Sequence, residues 1–285
     1  RKRSDSIDRM IAANSGAIGA ARTADDPRRL DKEGKLIAFK SIENSYPLGE
    51  DLSLLSEFYD KGVRLAGPVH GLNNQFADSA TDKPRWNGLS PLGEKWVAEK
   101  NRLGIVIDAS HSSDATFDQL LALSKYPILL SHSSLRSAHN HPRNLDEGRL
   151  KALAAKGGAM CISTIYMSEM KMSPPRAKLF ADYERIGELA PEAQAELTRQ
   201  WRELDKTETM WAADFEDYMK MVLRAIEVAG NKAQPKPPAT IAATESTLSK
   251  AKVNSGSSFI RLRWRSISRP RALLRLLRTK VFCIA

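Results

Sequence analysis

The sequence predicts an α/β fold in which strands and helices alternate around a parallel sheet. Short apolar runs recur along the chain, separated by helical stretches of roughly 10 to 15 residues. Two of these runs, Gly104–His111 (Gly-Ile-Val-Ile-Asp-Ala-Ser-His) and Pro127–His132 (Pro-Ile-Leu-Leu-Ser-His), flank Asp114–Lys125, where Phe117, Leu120 and Leu121 recur at helical spacing. Each run ends on a histidine, and a parallel sheet brings such strand tips side by side on one face. About five units of this kind fit before the composition changes near residue 231. A closed eight-stranded barrel typically takes about 250 residues, so the expectation is an incomplete (β/α)8 barrel of TIM type.

The elements follow in order. Arg1–Asn14 reads as a helix with Ile7, Met10 and Ile11 on one side. Lys35–Ile42 reads as a strand. Asp51–Tyr59 reads as a helix, with Leu52, Leu55 and Phe58 spaced three apart, and Val63–Val69 as the next strand. Ser90-Pro91 is a helix start, a capping residue followed by proline at the first helical position. That helix turns Leu92, Trp96, Val97 and Leu103 inward and ends at Gly104. Asn144 with Glu147 resembles a capping box opening a helix to Lys156. Ala159–Thr164 is a further strand containing Cys161, read as buried. Between Ile165 and Thr209 one helix is expected, around Pro191–Leu204. Phe215, Met219, Val222 and Ile226 define an amphipathic helix ending at Gly230.

Charge divides the chain. The net charge is +10 over 285 residues. From Asn231 onward there are twelve Lys and Arg against one acid, Glu245, while the preceding 230 residues carry 32 basic and 33 acidic groups. No nucleic-acid partner is therefore expected for residues 1–231. Residues 232–285 form a basic, low-complexity tail outside the fold, opened by the linker-like Gln234-Pro-Lys-Pro-Pro238. Its Arg271–Lys280 stretch suits a membrane surface or an acidic partner, and a shifted reading frame is the alternative origin. Cys161 and Cys283 form no metal motif or disulfide framework. No run of 18 apolar residues occurs, and no signal segment follows Arg1, so the start reads as a truncation or processing point. Localisation stays unknown.

The chemistry rests on strand ends. Five histidines occur: His70, His111, His132, His139 and His141. Glu43, His70, His111 and His132 each end a successive strand, and a barrel draws its catalytic groups from several such ends. A carboxylate with three imidazoles is the inventory of a hydrolytic metal site. His139 and His141 read as loop or rim residues, and Asp78 and Asn74 as shapers of the loop after His70. Asp108 is either a partner that orients an imidazole or an ordinary strand-end carboxylate.

These stretches resemble the membrane dipeptidase (renal dipeptidase) family of zinc peptidases. The matching segments are Ile42-Glu-Asn-Ser-Tyr-Pro-Leu-Gly-Glu-Asp-Leu-Ser-Leu-Leu55, His70–Ser79, Gly88-Leu-Ser-Pro-Leu-Gly93, Asn101–His111, Ser131-His-Ser-Ser134 and His141-Pro-Arg-Asn144. The resemblance covers about residues 5 to 230. It implies a (β/α)8 barrel with two zinc ions, in which Glu43 bridges both and His111 and His132 hold one. It also implies that His70 contacts the substrate and steadies the tetrahedral intermediate, and that Arg143 receives the substrate carboxylate through a bidentate fork. The implied reaction is dipeptide hydrolysis by a metal-activated water.

Two family features have no match here. The other zinc is held by a His-x-Asp pair, and no histidine precedes His70. A late aspartate stands near the active-site water, and no Asp follows Asp217. The expectation is a barrel lacking its first and last strands, with at most one zinc, a dipeptide substrate and reduced activity. A homodimer is one assembly open to it. The alternatives are an inactive remnant, or a basic tail that binds membrane or nucleic acid.

Overall fold

The structure, a computed structural model, describes residues 2–184, 186, 189–208, 212–213, 215–230 and 281–284. It is an α/β fold with parallel sheets. The chain opens with α1 (Lys2–Ala13), β1 (Ile18–Ala20), α2 (Asp26–Lys32) and β2 (Leu36–Ile42). It continues with α3 (Leu54–Asp60), β3 (Val63–Ala66), α4 (Pro91–Leu103), β4 (Val106–Ile107) and α5 (Asp114–Leu123). Next come β5 (Leu129–Ser133), α6 (Glu147–Ala155), β6 (Ala159–Ile162), α7 (Pro174–Glu184), α8 (Pro191–Leu204) and α9 (Phe215–Val228).

Strands β1, β2, β3 and β4 lie in that order, each parallel to the last. Strands β5 and β6 form a second parallel pair. A parallel bridge between Asp108 and Leu129 joins the two, through Ala109 N–H donating to Leu129 O at 2.7 Å. The six strands thus follow chain order in one direction, so all their C-terminal ends share one face. A further strand, β7 (Val281–Ile284), runs parallel to β2. The remainder of the basic tail, with its Arg271–Lys280 stretch, lies outside the described residues.

Local sequence explains the helix boundaries. Ser90 Oγ accepts from Gly93 N–H at 3.0 Å, Pro91 sits in the first turn, and Gly104 closes α4 in the left-handed region at φ 73°. That conformation costs glycine little. Ser113 Oγ caps α5 through Thr116 N–H. The core is a continuous cluster under the strands, with Leu55, Phe76, Trp96, Ile107, Phe117, Leu120 and Ile128 almost fully buried.

Several boundaries differ from the sequence reading, each for a local reason. β1 and α2 were not anticipated; both are too short to show periodicity. α3 begins at Leu54 rather than Asp51, because the Asp51 carboxylate accepts from Ser53 N–H and Oγ–H in a turn. β3 stops at Ala66, where Gly67 passes so close to β2 that a Cβ would lie 2.7 Å from Glu43 O. β4 is only two residues long, because the Asp108 carboxylate accepts from Ser110 N–H and turns the chain. The cap of α6 is Asp146, not Asn144: Asp146 Oδ1 accepts from Arg149 N–H, and Asn144 Nδ2 donates to His139 O and Tyr166 O instead. The region 165–209 holds two helices, since α7, with no clean apolar stripe, precedes α8. Cys161 is half-buried rather than buried. Among the described residues no helix is long and apolar enough to cross a membrane.

Gly93 permits the close packing of α4 under the loop that follows β3: a Cβ there would sit 2.0 Å from Phe76 O. Gly93→Ala should destabilise the fold by about 1–3 kcal/mol through overpacking, read as a lower urea midpoint.

Candidate metal centre

Parallel strand ends bring Glu43, His111 and His132 together. Glu43 directly follows β2, His111 lies in the turn after β4, and His132 is within β5. His111 Nε2 is 3.1 Å from Glu43 Oε1 and 2.9 Å from His132 Nε2, and His132 Nε2 is 3.3 Å from Glu43 Oε1. Among the described residues this is the group whose donor atoms all lie within 4.8 Å of one another. His70, after β3, stands at the rim. Its Nε2 is 3.7 Å from Glu43 Oε1, and 54% of its side chain is exposed. Its ring lies 4.1 Å from that of His111.

The electrostatics suit a cation. The Glu43 carboxyl is held well below the usual carboxylate range, first by His111 and then by His132. Burial pushes the His111 imidazole down to about 4, against the pull of Glu43 and with the help of Arg143, His70 and His132. A neutral imidazole is the ligating form. Zinc bonds of ~2.0–2.2 Å place tetrahedral donors about 3.3–3.5 Å apart, near the spacing of these three atoms. Two imidazoles and one carboxylate thus form a donor set that could hold a metal ion, with spacings at or slightly below that range.

Asp108 builds the support behind His132. Its Oδ1 accepts from Ser110 N–H and Ser131 N–H, both at 3.0 Å, and its Oδ2 accepts from Ser131 Oγ–H. The serine has one hydroxyl proton, and Asp108 takes it. Ser131 Oγ lies 2.8 Å from His132 Nδ1, and with its own proton on Asp108 it is placed to accept from Nδ1–H, the tautomer that would leave Nε2 free for a metal. Of the two roles open to Asp108 in the sequence, the geometry matches the orienting one. The Ser131 relay was missed; an Asp three residues before one histidine and a Ser directly before the other were the available signals. His111 adopts φ 72°, rare for a residue with a Cβ.

Arg143 lies beside the cluster, 8% exposed. Its guanidinium carbon is 6.0 Å from the Tyr166 ring, and no acid of the described residues pairs with it. His141 stacks on Tyr166 with centroids 4.0 Å apart and accepts from Arg143 N–H. His139 and His141 thus shape the rim loop. Asp78 accepts from the backbone N–H of Arg85, Trp86 and Gly88, and Asn74 Nδ2 bridges Asn44 Oδ1 and Pro68 O. Both organise the loop between β3 and α4, as their positions suggested.

The sequence model of the membrane dipeptidase family, peptidase family M19, matches residues 1–233. The chain is 33% identical over 185 residues to the dipeptidase verJ of Clonostachys rogersoniana, covering 65% of this chain and 48% of that one. It is 32% identical over 164 residues to dipeptidase 3 of Mus musculus, covering 56% and 32%. The chain thus spans about half the length, or less, of these curated relatives. Among solved structures, the probable dipeptidase PvdM of Pseudomonas aeruginosa aligns with TM-score 0.64 and 28% identity, over 80% of this chain and 63% of that one.

Replacing Asp108 with Ala strands three donors, Ser110 N–H, Ser131 N–H and Ser131 Oγ–H. At about 1–3 kcal/mol for each buried group left unpaired, the variant should lose at least ~2 kcal/mol of stability in chemical denaturation.

Proposed function

The chain belongs to the membrane dipeptidase family, peptidase family M19, and from that premise we propose that it is a zinc-dependent dipeptidase. The observation that carries this reading is the convergence of Glu43 Oε1, His111 Nε2 and His132 Nε2 within 3.3 Å of one another. These three residues would hold one zinc, with a fourth position left for water. Bound there, the metal would lower the pKa of that water and polarise the scissile carbonyl.

The other residues act on the substrate. Arg143 receives the terminal carboxylate of the dipeptide: its guanidinium is buried, forked and open to an anion. His70 reaches the scissile group from the exposed rim and stabilises the charge that develops on the carbonyl oxygen. Asp108 and Ser131 hold His132 in its ligating tautomer. The six strands in chain order support a (β/α)8 barrel, here in part, with residues 1–231 as the catalytic unit.

The purified chain should release amino acids from dipeptides when zinc is added and stop when a chelator is added. His111→Ala and His132→Ala should each abolish zinc binding in an equilibrium titration; retained stoichiometric binding in both would discard the ligand assignment. Arg143→Ala removes the buried partner of the substrate carboxylate, a loss of about 2–5 kcal/mol. It should lower kcat/KM at least ~30-fold, chiefly through KM, while zinc binding persists.

A further inference from the structure

The loop after β5 carries an aromatic stack that neither the proposed ligand set nor the substrate contacts use. The His141 ring lies parallel to the Tyr166 ring, with centroids 4.0 Å apart and planes 9° apart. Arg143 follows two residues later. Its side chain is buried and no acid of the described residues pairs with it, so its aim depends on its backbone.

That backbone is held on both sides. Arg143 N–H donates to His141 Nδ1 at 3.1 Å, and Arg143 O accepts from Ser133 Oγ–H at 3.0 Å. A backbone N–H can only donate, so Nδ1 is the bare nitrogen of the ring. Asn and Asp side chains make this same link, to the N–H two residues on, in turns. Here an imidazole makes it across Pro142, whose ring fixes φ.

The ring that holds Arg143 is itself held by a distant part of the chain. Tyr166 follows β6 and takes φ 60°, rare for a residue with a Cβ. Its carbonyl accepts from Asn144 Nδ2 at 2.8 Å, and Asn144 Nδ2 also donates to His139 O at 2.8 Å. One residue earlier, Ile165 O accepts from Ser134 Oγ–H at 3.0 Å. Tyr166 is thus tied to both sides of the loop that bears His141, and its ring meets the imidazole face to face.

We propose that His141 is a positioning residue for Arg143: set against Tyr166, its Nδ1 fixes the Arg143 backbone and so aims a guanidinium that no acid holds at the substrate carboxylate. This rests on Arg143 being the receiver of that carboxylate. A contact remote from the scissile bond serves ground and transition states alike, so its loss falls on KM rather than kcat.

Two substitutions separate the hydrogen bond from the stack. His141→Phe keeps a ring against Tyr166 but has no acceptor. His141→Asn gives up the ring and keeps an acceptor for Arg143 N–H. Two readouts follow them in the full chain: the 15N relaxation order parameter of Arg143 Nε–Hε without metal, and hydrolysis of Ala-Ala and its C-terminal amide with zinc.

His141→Phe should lower the order parameter into the flexible range, below about 0.6. It should raise KM for Ala-Ala about tenfold, the worth of one hydrogen bond, with kcat little changed and no further loss on the amide. His141→Asn should stay near wild type in both readouts. Wild-type behaviour of His141→Phe, or equal damage in both variants, would make the ring a packing element and overturn the proposal. If His141→Phe does not fold, His141→Tyr takes its place, and failure of both ends the proposal. A wild-type chain inert toward dipeptides, with Arg143 loosened by Phe and not by Asn, would sink the dipeptidase reading and leave the hold of His141 on Arg143 standing.

Discussion

The carboxylate of Asp108 joins the two parallel sheets at the end that carries the histidines. Its backbone N–H reaches Ala66 O on the β3 side, and its side chain reaches Ser131 N–H on β5. The same side chain bends the chain through Ser110, which ends β4 after two residues and sends His111 back over the strand ends. Without that turn, His111 would point along an extended strand, away from Glu43. A buried carboxylate must have its acceptors filled, and filling them here joins the β4 turn to β5 and supports His132 through Ser131.

Around that joint the protein tolerates arrangements that would be costly elsewhere. Two imidazole nitrogens lie 2.9 Å apart beside a carboxylate oxygen, a spacing that calls for a shared proton or a cation. His111 takes a left-handed backbone conformation, and Arg143 is buried with no acid beside it among the described residues. Strain and unpaired charge concentrated at one face mark a functional site, set above a close-packed hydrophobic cluster.

The site also depends on a helix that contributes no ligand. Trp96 Nε1 donates to Ser45 Oγ, two residues past Glu43, and Ser45 Oγ donates to Gly67 O. Lys100, one turn further along α4, ties the end of β3 to the start of β4. The loop between β3 and α4 is ordered from within by Asp78 and Asn74. One helix face and one loop therefore fix the positions of the segments bearing Glu43, His70 and His111.

The sequence by itself determined the alternation of strands and helices, because apolar runs and helical spacing are local properties. It determined the Ser90-Pro91 start and Gly104 stop of α4 through cap chemistry. It also placed Glu43 and His132 at strand ends, through motifs that match a family, whereas His70 and His111 lie in the turns after β3 and β4. Only the tertiary structure decided which of those groups meet. Glu43, His111 and His132 are far apart in sequence, and their convergence depends on register between parallel strands, which no local pattern encodes. The same holds for Lys100. Spacing alone makes it one more charged residue on an amphipathic helix, and only the packing of α4 against β3 and β4 encloses it. β1, α2 and α7 stayed hidden in the sequence because their local signals are short or weak and their neighbours hold them in place.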